Sequence, residues 1–312
     1  MEGISAQERT NMAIHSSTTQ TKHPFFDKHT VLGTILLIIW GYFIVLFPAS
    51  FVVGIVCAVL RCSGAANDYL GLGVAFTACF ALLIHKIWFQ PELKGILFRG
   101  FLKTLRLCPV ILIFWLVICL PDLMAGNRPQ TFTLKVFSLA ITAGFAEEVI
   151  FRGLPLSYLK RQLRSEKHIP LVVCITSVLF GLTHVTNILF GASVSASLVQ
   201  GVSTTCIGIF LGAVFVRGGN ILVPMLLHTL HDFLLLSFES EEEVGIVLTE
   251  EAGVGDLLLI VICLALAACG FFLVRKSKRS EICAMWAETW SQTTESQPVI
   301  AAESENTTGG TI

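Results

Sequence analysis

The chain is poor in charge: Lys, Arg, Asp and Glu together make up only 14% of its 312 residues. A soluble domain needs more charge than this to cover its surface. Hydrophobic residues make up 54% of the chain, and the mean hydropathy is +0.76. The composition therefore excludes an ordinary soluble domain and indicates a polytopic α-helical membrane protein.

Other features are also missing. The first 27 or so residues are polar and contain no apolar stretch followed by a small-residue cleavage site, so we expect no cleavable signal peptide. The ten cysteines include no C-x-x-C pair, which argues against a disulfide framework or a cysteine zinc site. The chain shows no internal repeat.

Apolar runs of about 20 residues, the length that a helix needs to cross the hydrocarbon, recur along the chain. We expect an all-α membrane bundle of about eight transmembrane helices within residues 31–274, between a cytoplasmic tail at 1–30 and a cytoplasmic, disordered tail at 275–312. Pro48 predicts a kink or an early, re-entrant end in the first helix. The predicted spans run near Val31–Val56, Tyr69–Phe89, Leu107–Leu123, Leu134–Leu159, Ile169–Phe190, Ala196–Val216, Ile221–Phe238 and Val254–Val274.

The basic residues predict the orientation, because cytoplasmic loops of membrane proteins are enriched in Lys and Arg. With eight spans, every basic cluster falls on one side, while the other side carries an acidic loop from Glu239 to Glu251. We therefore expect both termini in the cytoplasm. The clusters are Lys22 and Lys28; Lys86, Lys94, Arg99, Lys103 and Arg106; Lys160, Arg161, Arg164 and Lys167; Arg217; and Arg275, Lys276, Lys278 and Arg279.

Two adjacent carboxylates, Glu147 and Glu148, lie inside the fourth apolar run. A charge at the bilayer centre costs roughly 2.5–3.5 kcal/mol on insertion scales, so such groups persist mainly where they have partners and a function. Arg152 follows Glu148 by four residues and can pair with it on one helix face. Glu147 is turned about 100° away, which makes it a candidate general acid or base. The alternative is a purely structural network of the three.

Two further apolar runs carry titratable side chains. His184 follows Phe180 by four residues, and Asn187 could add a donor on the next turn. His228 and Asp232 are also four apart, so they project together and can ligate a metal or orient one another. His231 belongs to a different stripe and is expected to be a packing residue. If the fourth, fifth and seventh helices are neighbours, these groups can share one cavity.

The three motifs Glu-Glu-x-x-x-Arg, Phe-x-x-x-His and His-x-x-x-Asp resemble, in order and spacing, those of the CAAX protease and bacteriocin-processing family of intramembrane endopeptidases. The resemblance covers roughly residues 133–238. It implies an eight-helix fold with a water-filled cavity open toward the cytoplasm. It also implies that Glu147 acts as general base and holds the attacking water with His184. By the same resemblance His228 and the residue at 232 stabilise the oxyanion, while Glu148 and Arg152 hold the motif helix in place.

One position departs from the family pattern, because many members have Asn where this chain has Asp232. An ionised carboxylate cannot donate to an oxyanion, so Asp232 must be protonated, orient His228 or bind a metal. Members are often labelled metalloproteases, and Glu147, His184, His228 and Asp232 could supply a zinc site. We expect no cofactor, because the helices lack the His-Glu-x-x-His spacing of soluble zinc proteases.

The predicted function is intramembrane hydrolysis of membrane-associated peptides, either prenylated CAAX-type or bacteriocin-like. The expected partners are membrane lipids and a peptide or lipidated peptide, with no nucleic acid; the sequence leaves the oligomeric state open. Two alternatives from other classes are a proton-coupled transporter and a non-catalytic scaffold or immunity protein. The missing repeat argues against the transporter.

Overall fold

The computed structural model describes residues 24–61, 66–89, 100–240 and 249–295, which form helices and no strand. The helices are α1 (Pro24–Lys28), α2 (Thr30–Leu60), α3 (Ala66–Phe89), α4 (Phe101–Leu105), α5 (Pro109–Met124), α6 (Leu134–Ile141), α7 (Ser157–Gln162), α8 (Ile169–Val185), α9 (Val194–Gly218), α10 (Leu222–Leu236), α11 (Val254–Leu273) and α12 (Lys276–Glu295). The predicted all-α class is confirmed. Most of the predicted N-terminal tail lies outside the described residues.

Several of these helices are suited to a membrane. Five described helical segments are long and apolar enough to cross it: Thr30–Leu60, Asp68–His85, Glu166–Phe190, Val194–Gly218 and Val254–Leu273. The helices α5 and α10 are apolar but shorter, with 16 and 15 residues. The protein is therefore an integral membrane protein, while the count of eight spans and the position of the termini stay predictions.

Helix α2 shows how the bundle meets lipid. Phe43, Phe47 and Phe51 follow one another at intervals of four and are 61–72% exposed, as expected for a face covered by acyl chains. The opposite face, with Val45 and Ala49, is buried. The helix runs through Pro48 without ending, so the predicted re-entrant stretch is wrong.

The centre of the bundle is one continuous helical segment, 134–162, which we call the motif helix. It starts as α6, where the Thr133 side chain accepts a hydrogen bond from Val136 N, and it ends as α7. Between them lie two π-helical stretches, Thr142–Glu147 and Val149–Leu156. Helices α2, α3, α8 and α10 pack around it. π-Helical turns are rare and frequently occur at functional sites.

The predicted basic clusters that the structure describes meet at one end of the bundle, and helix α12 joins them. Glu281 of α12 forms ion pairs with Arg217 (2.8 Å), Lys278 (3.7 Å) and Lys103 (4.0 Å). The hydrogen bond from Arg217, together with the neighbouring cations, lowers the pKa of the Glu281 carboxyl. We call this end, defined by Lys103, Lys160, Arg164, Arg217 and Lys278, the basic end.

Other contacts tie together the opposite end. The backbone of Gln130 and Thr131 donates to Ser237 O at 2.8 and 3.2 Å, which holds the start of the motif helix against the end of α10. The Ser193 side chain donates to Glu250 O at 2.8 Å, which holds the start of α9 against the loop that precedes α11. The two ends are therefore fixed by different sets of contacts.

The C-terminal tail departs from the prediction. Disorder was expected from residue 275, whereas α12 occupies Lys276–Glu295, so the prediction is wrong for that stretch. The helix is polar on average, but Ile282 and Trp286 are four residues apart and only 0–1% exposed. Trp286 Nε1 donates to Val216 O at 2.8 Å, and its ring packs edge-on against Phe215. This apolar stripe docks α12 on the end of α9.

Truncating the anchor of α12 should destabilise the protein. We expect Trp286→Ala to lower the free energy of unfolding by about 3–5 kcal/mol because it leaves a cavity. Trp286→Phe keeps an aromatic ring against Phe215 but loses the hydrogen bond and part of the packed volume, so it should cost less, about 1–3 kcal/mol. Denaturant titration in detergent measures both, with the exposed Ser277→Ala as control. An unchanged Trp286→Ala variant would mean that α12 is not docked.

Candidate functional site

The deepest part of the site is a buried charge network on the motif helix and α10. Glu148 and Arg152 are both completely buried, and Arg152 Nη1 donates to Glu148 Oε1 at 2.9 Å, as the i,i+4 spacing predicts. The same carboxylate oxygen lies 3.0 Å from His228 Nδ1 on α10. Glu148 thus does more than hold its own helix, because it also connects that helix to α10.

This contact determines which nitrogen of His228 reaches the cavity. A carboxylate paired with Arg152 is ionised and can only accept hydrogen bonds, so the Nδ1–H of His228 donates to Glu148. Nε2 then lies 3.6 Å from Glu147 Oε2 and 3.8 Å from Asp232 Oδ2. Both distances exceed the length of an ordinary hydrogen bond, so Nε2 is hydrogen-bonded to neither carboxylate.

Phe180 packs at the centre of this network. It is 1% exposed, and the Arg152 guanidinium lies over its ring at 4.5 Å from the centroid. The rings of His184 and His228 meet it edge-on, at 4.9 and 5.9 Å. Gly208 of α9 leaves room for the guanidinium, because a Cβ there would lie 2.9 Å from Arg152 Nη2. The Phe-x-x-x-His motif therefore positions both imidazoles.

His184 reaches the cavity from α8. Its Nδ1 lies 3.1 Å from Phe180 O one turn earlier, which leaves Nε2 for the cavity. Asn187 behaves differently from the prediction. Helix α8 ends at Val185, and Asn187 Nδ2 donates to Gln200 Oε1 at 2.8 Å without lining the cavity. It fastens the end of α8 to α9, so the prediction that it adds a donor to the site is wrong.

One cavity of about 1000 Å³ brings together the four residues predicted as catalytic. Glu147, His184, His228 and Asp232 all line it, from the motif helix, α8 and α10. Glu147 and Asp232 are about a quarter exposed, whereas His228 is buried. The remaining wall comes from α5, α9 and α11 and is largely apolar, with Phe114, Val117, Ile207, Leu259 and Ile262 among its side chains.

The cavity extends away from the basic end. Beyond the four candidate catalytic residues, its lining comes mainly from the C-terminal halves of α5 and α10 and the N-terminal halves of α9 and α11, as far as Met124, Ala196, Glu239 and Gly255. Two predictions concern the cytoplasmic side. The charge distribution predicts that the basic clusters lie in the cytoplasm, and the family resemblance implies that the cavity opens toward the cytoplasm. The two are incompatible in this structure, because the cavity and the basic clusters lie toward opposite ends.

His231 is a site residue that the sequence analysis missed. It was assigned to packing, and its ring does stack at 5.8 Å on Phe114. It also lines the cavity, and its Nδ1 is buried without a hydrogen-bond partner among the described residues. No sequence signal separated it from a packing histidine, because its position depends on how α5 and α10 cross.

The residues as placed do not form a metal site. Among the described residues, no group of three or more His, Cys, Asp or Glu side chains converges on a point where a metal ion could bind. Glu147, His184, His228 and Asp232 line one cavity, but their side chains do not converge on one point where they could coordinate a metal ion. We therefore derive no step through a metal.

The match to a known family agrees with the site. Residues 129–234 match a family model described as "Type II CAAX prenyl endopeptidase Rce1-like". The core of the chain is therefore similar to membrane peptidases of the CAAX type. This similarity agrees with the resemblance that the three motifs indicate. It covers about a third of the chain. Comparison with curated proteins and with solved structures gives no significant match.

Removing one member of the buried pair should be costly. We expect Glu148→Gln to lower the free energy of unfolding by about 3–5 kcal/mol, because the Arg152 charge is left buried without its partner. The double variant Glu148→Leu/Arg152→Leu should lose less, since it buries no charge. Denaturant titration in detergent compares them, with the exposed Glu166→Gln as control. A double variant less stable than Glu148→Gln would contradict this account.

The orientation gives a prediction for labelling. If the basic end is cytoplasmic, Met124→Cys at the cavity end is reached by a membrane-impermeant maleimide from the non-cytoplasmic face, and Lys278→Cys from the cytoplasmic face. Sealed vesicles of known sidedness, with the parent chain as background, measure this. Labelling of both cysteines from one face would contradict the arrangement of the ends, and the reverse pattern would contradict the predicted orientation.

Proposed function

We propose that this chain is an intramembrane endopeptidase that uses Glu147 as general base to hydrolyse a peptide bond within the cavity. The observation that carries the proposal is the convergence of Glu147, His184, His228 and Asp232, from three helices, on one cavity within the bundle. Three insertions of titratable groups into apolar helices would each be costly without such a shared, hydrated space.

The proposed reaction begins at Glu147. Its carboxylate takes a proton from a water molecule that His184 Nε2 also holds, and the oxygen attacks the scissile carbonyl carbon. The C–N bond then breaks, and the proton held by Glu147 passes to the leaving amine. Glu147 suits this role because it is partly exposed to the cavity and is not bound to Arg152.

His228 is proposed to stabilise the oxyanion. Since Nδ1 donates to Glu148, Nε2 carries a hydrogen for the oxyanion only when the ring is doubly protonated. Before the attack, the carboxylates of Glu147 and Asp232, at 3.6 and 3.8 Å, compensate that charge; once Glu147 holds the proton from water, Asp232 and the oxyanion compensate it. This gives a role to Asp232 where many family members have Asn: it balances the His228 charge and does not itself donate. A preset donor in a low-dielectric site is the usual source of such stabilisation.

The proposed substrates are membrane-associated peptides, prenylated CAAX-type or bacteriocin-like. The apolar wall formed by α5, α9 and α11 supports this class, because it offers a surface for the apolar part of a peptide beside the polar group. We further propose that the reaction needs no metal ion.

Replacing the base tests the proposal. Glu147→Gln should reduce the cleavage rate of a membrane-embedded peptide by about 10²–10⁴-fold, while the unfolding midpoint stays native-like. Mass spectrometry of the products measures cleavage, and Glu250→Gln, which removes an acid outside the cavity, is the matched control. Retained cleavage in Glu147→Gln would remove Glu147 from the mechanism.

A chelator arm on the same samples tests the metal-free form of the proposal. We expect cleavage to survive chelation and purified protein to contain no stoichiometric zinc. Loss of cleavage on chelation, restored by added zinc, would replace the metal-free mechanism with a metal-dependent one.

A further inference from the structure

Gln200 is the only amide side chain among the described residues that line the cavity. It lies on α9, in the wall that is largely apolar, and it is half-buried. In an apolar pocket, a small number of placed polar groups fixes the orientation of the ligand. The role of Gln200 as a partner of Asn187 accounts for only one end of its amide.

Helix α8 occupies the carbonyl end of this amide. Asn187 Nδ2 donates to Gln200 Oε1 at 2.8 Å. The other end, Nε2, carries two N–H groups. It makes no hydrogen bond with any described residue, and it is accessible within the cavity. Gln200 therefore presents free donors to whatever occupies the cavity, while Asn187 holds its carbonyl end.

The polar neighbours of Gln200 on α9 do not offer such a donor. Ser203 Oγ is buried away from the open space of the cavity. Thr204 Oγ1 donates to Gln200 O at 2.7 Å, so its hydrogen is used within its own helix. Of the described α9 residues that line the cavity, only Gln200 has a donor that is both accessible and free.

The packing of α8 on α9 places Gln200 close to the proposed reaction centre. A Cβ on Gly201 would lie 3.1 Å from Gly181 O, so the two backbones are in contact there. His184 lies between Gly181 and Asn187 on α8, and Gln200 is bonded to Asn187, about one turn beyond His184. One turn is about 5.4 Å, and an extended peptide advances about 3.3 Å per residue. A peptide whose scissile bond lies at Glu147 and His184 thus passes Gln200 within about two residues.

We propose that Gln200 Nε2 donates a hydrogen bond to a backbone carbonyl of the substrate, within about two residues of the scissile bond, and thereby sets the register of cleavage. This inference rests on the proposed function and adds a substrate-binding residue to it. Every peptide bond offers a carbonyl, and such a group is costly to bury in an apolar site without a donor. Gln200 therefore recognises the main chain of the substrate and not its side chains.

The test weakens one substrate carbonyl at a time. The full chain in lipid nanodiscs is given an apolar peptide of Leu and Ala and a series in which one carbonyl oxygen, other than the scissile one, is replaced by sulfur. A thioamide keeps the N–H and is a weaker acceptor. We expect one position near the scissile bond at which the replacement lowers the kcat/KM of wild type by about fivefold, as measured by mass spectrometry of the products.

Two variants of Gln200 remove the donor. Gln200→Met keeps the shape of the side chain, and Gln200→Glu keeps an acceptor for Asn187 while its ionised carboxylate cannot donate. Both should lower the kcat/KM of the all-amide peptide by about fivefold or more and reduce the thioamide effect to less than about twofold. The Glu variant also decides the outcome if the Met variant does not fold.

The matched control is Asn187→Leu, which removes the same bond between α8 and α9 and leaves the Gln200 amide in place. It should keep the thioamide effect. A thioamide effect that persists in both Gln200 variants would mean that Gln200 acts only by fastening the helices, and it would overturn the inference. Wild type that responds to no thioamide position would overturn it as well.

Failure of this inference is distinguishable from failure of the proposed function. If wild type cleaves every peptide equally and Glu147→Gln cleaves none, the protease stands and the role of Gln200 is wrong. If wild type cleaves no peptide, the proposed function fails, and competition of each peptide with a fluorescently labelled all-amide peptide still tests Gln200. Weaker binding of one thioamide peptide to wild type but not to Gln200→Met would support the hydrogen bond; equal binding of the whole series to wild type would overturn it.

Discussion

The structure depends on the partnering of one buried carboxylate. Glu148 is completely buried, and a single oxygen accepts from Arg152 at 2.9 Å and from His228 at 3.0 Å. An unpartnered charge at this depth would be strongly unfavourable, so the motif helix and α10 must keep this register. The same contact determines which nitrogen of His228 reaches the cavity. The geometry of the site therefore follows from satisfying a buried charge.

Small residues make the arrangement possible. A Cβ on Gly144 of the motif helix would lie 2.6 Å from Thr229 N of α10, and one on Gly201 of α9 would lie 3.1 Å from Gly181 O of α8. Close backbone approach of this kind is how membrane helices pack when no hydrophobic effect drives them together. It brings short side chains from neighbouring helices within reach of one another. The site is therefore inseparable from the packing of these helices.

The sequence predicted what depends on spacing along one helix. The Glu148–Arg152 pair, the Phe180–His184 contact and the shared direction of His228 and Asp232 all follow from intervals of four. It could not predict the bond from His228 to Glu148 or the cavity position of His231, because both depend on how separate helices cross. It also did not predict α12. The residues of this helix are polar on average, and that average hides the apolar stripe of Ile282 and Trp286. The predicted cytoplasmic side of the basic clusters came from charge and that of the cavity from the resemblance. Because the cavity and the basic end lie toward opposite ends of the bundle, only one of these two predictions can hold.

Hydrolysis by a water molecule held at Glu147 is the central claim, and isotope transfer tests it most directly. Cleavage of a membrane-embedded peptide in ¹⁸O-enriched water, followed by mass spectrometry, reports where the attacking oxygen goes. The account predicts that the new carboxyl group carries solvent ¹⁸O in a product that wild type forms and the Glu147→Gln variant does not. An intact peptide after incubation with folded wild type, or a labelled product formed equally well by both proteins, would contradict it.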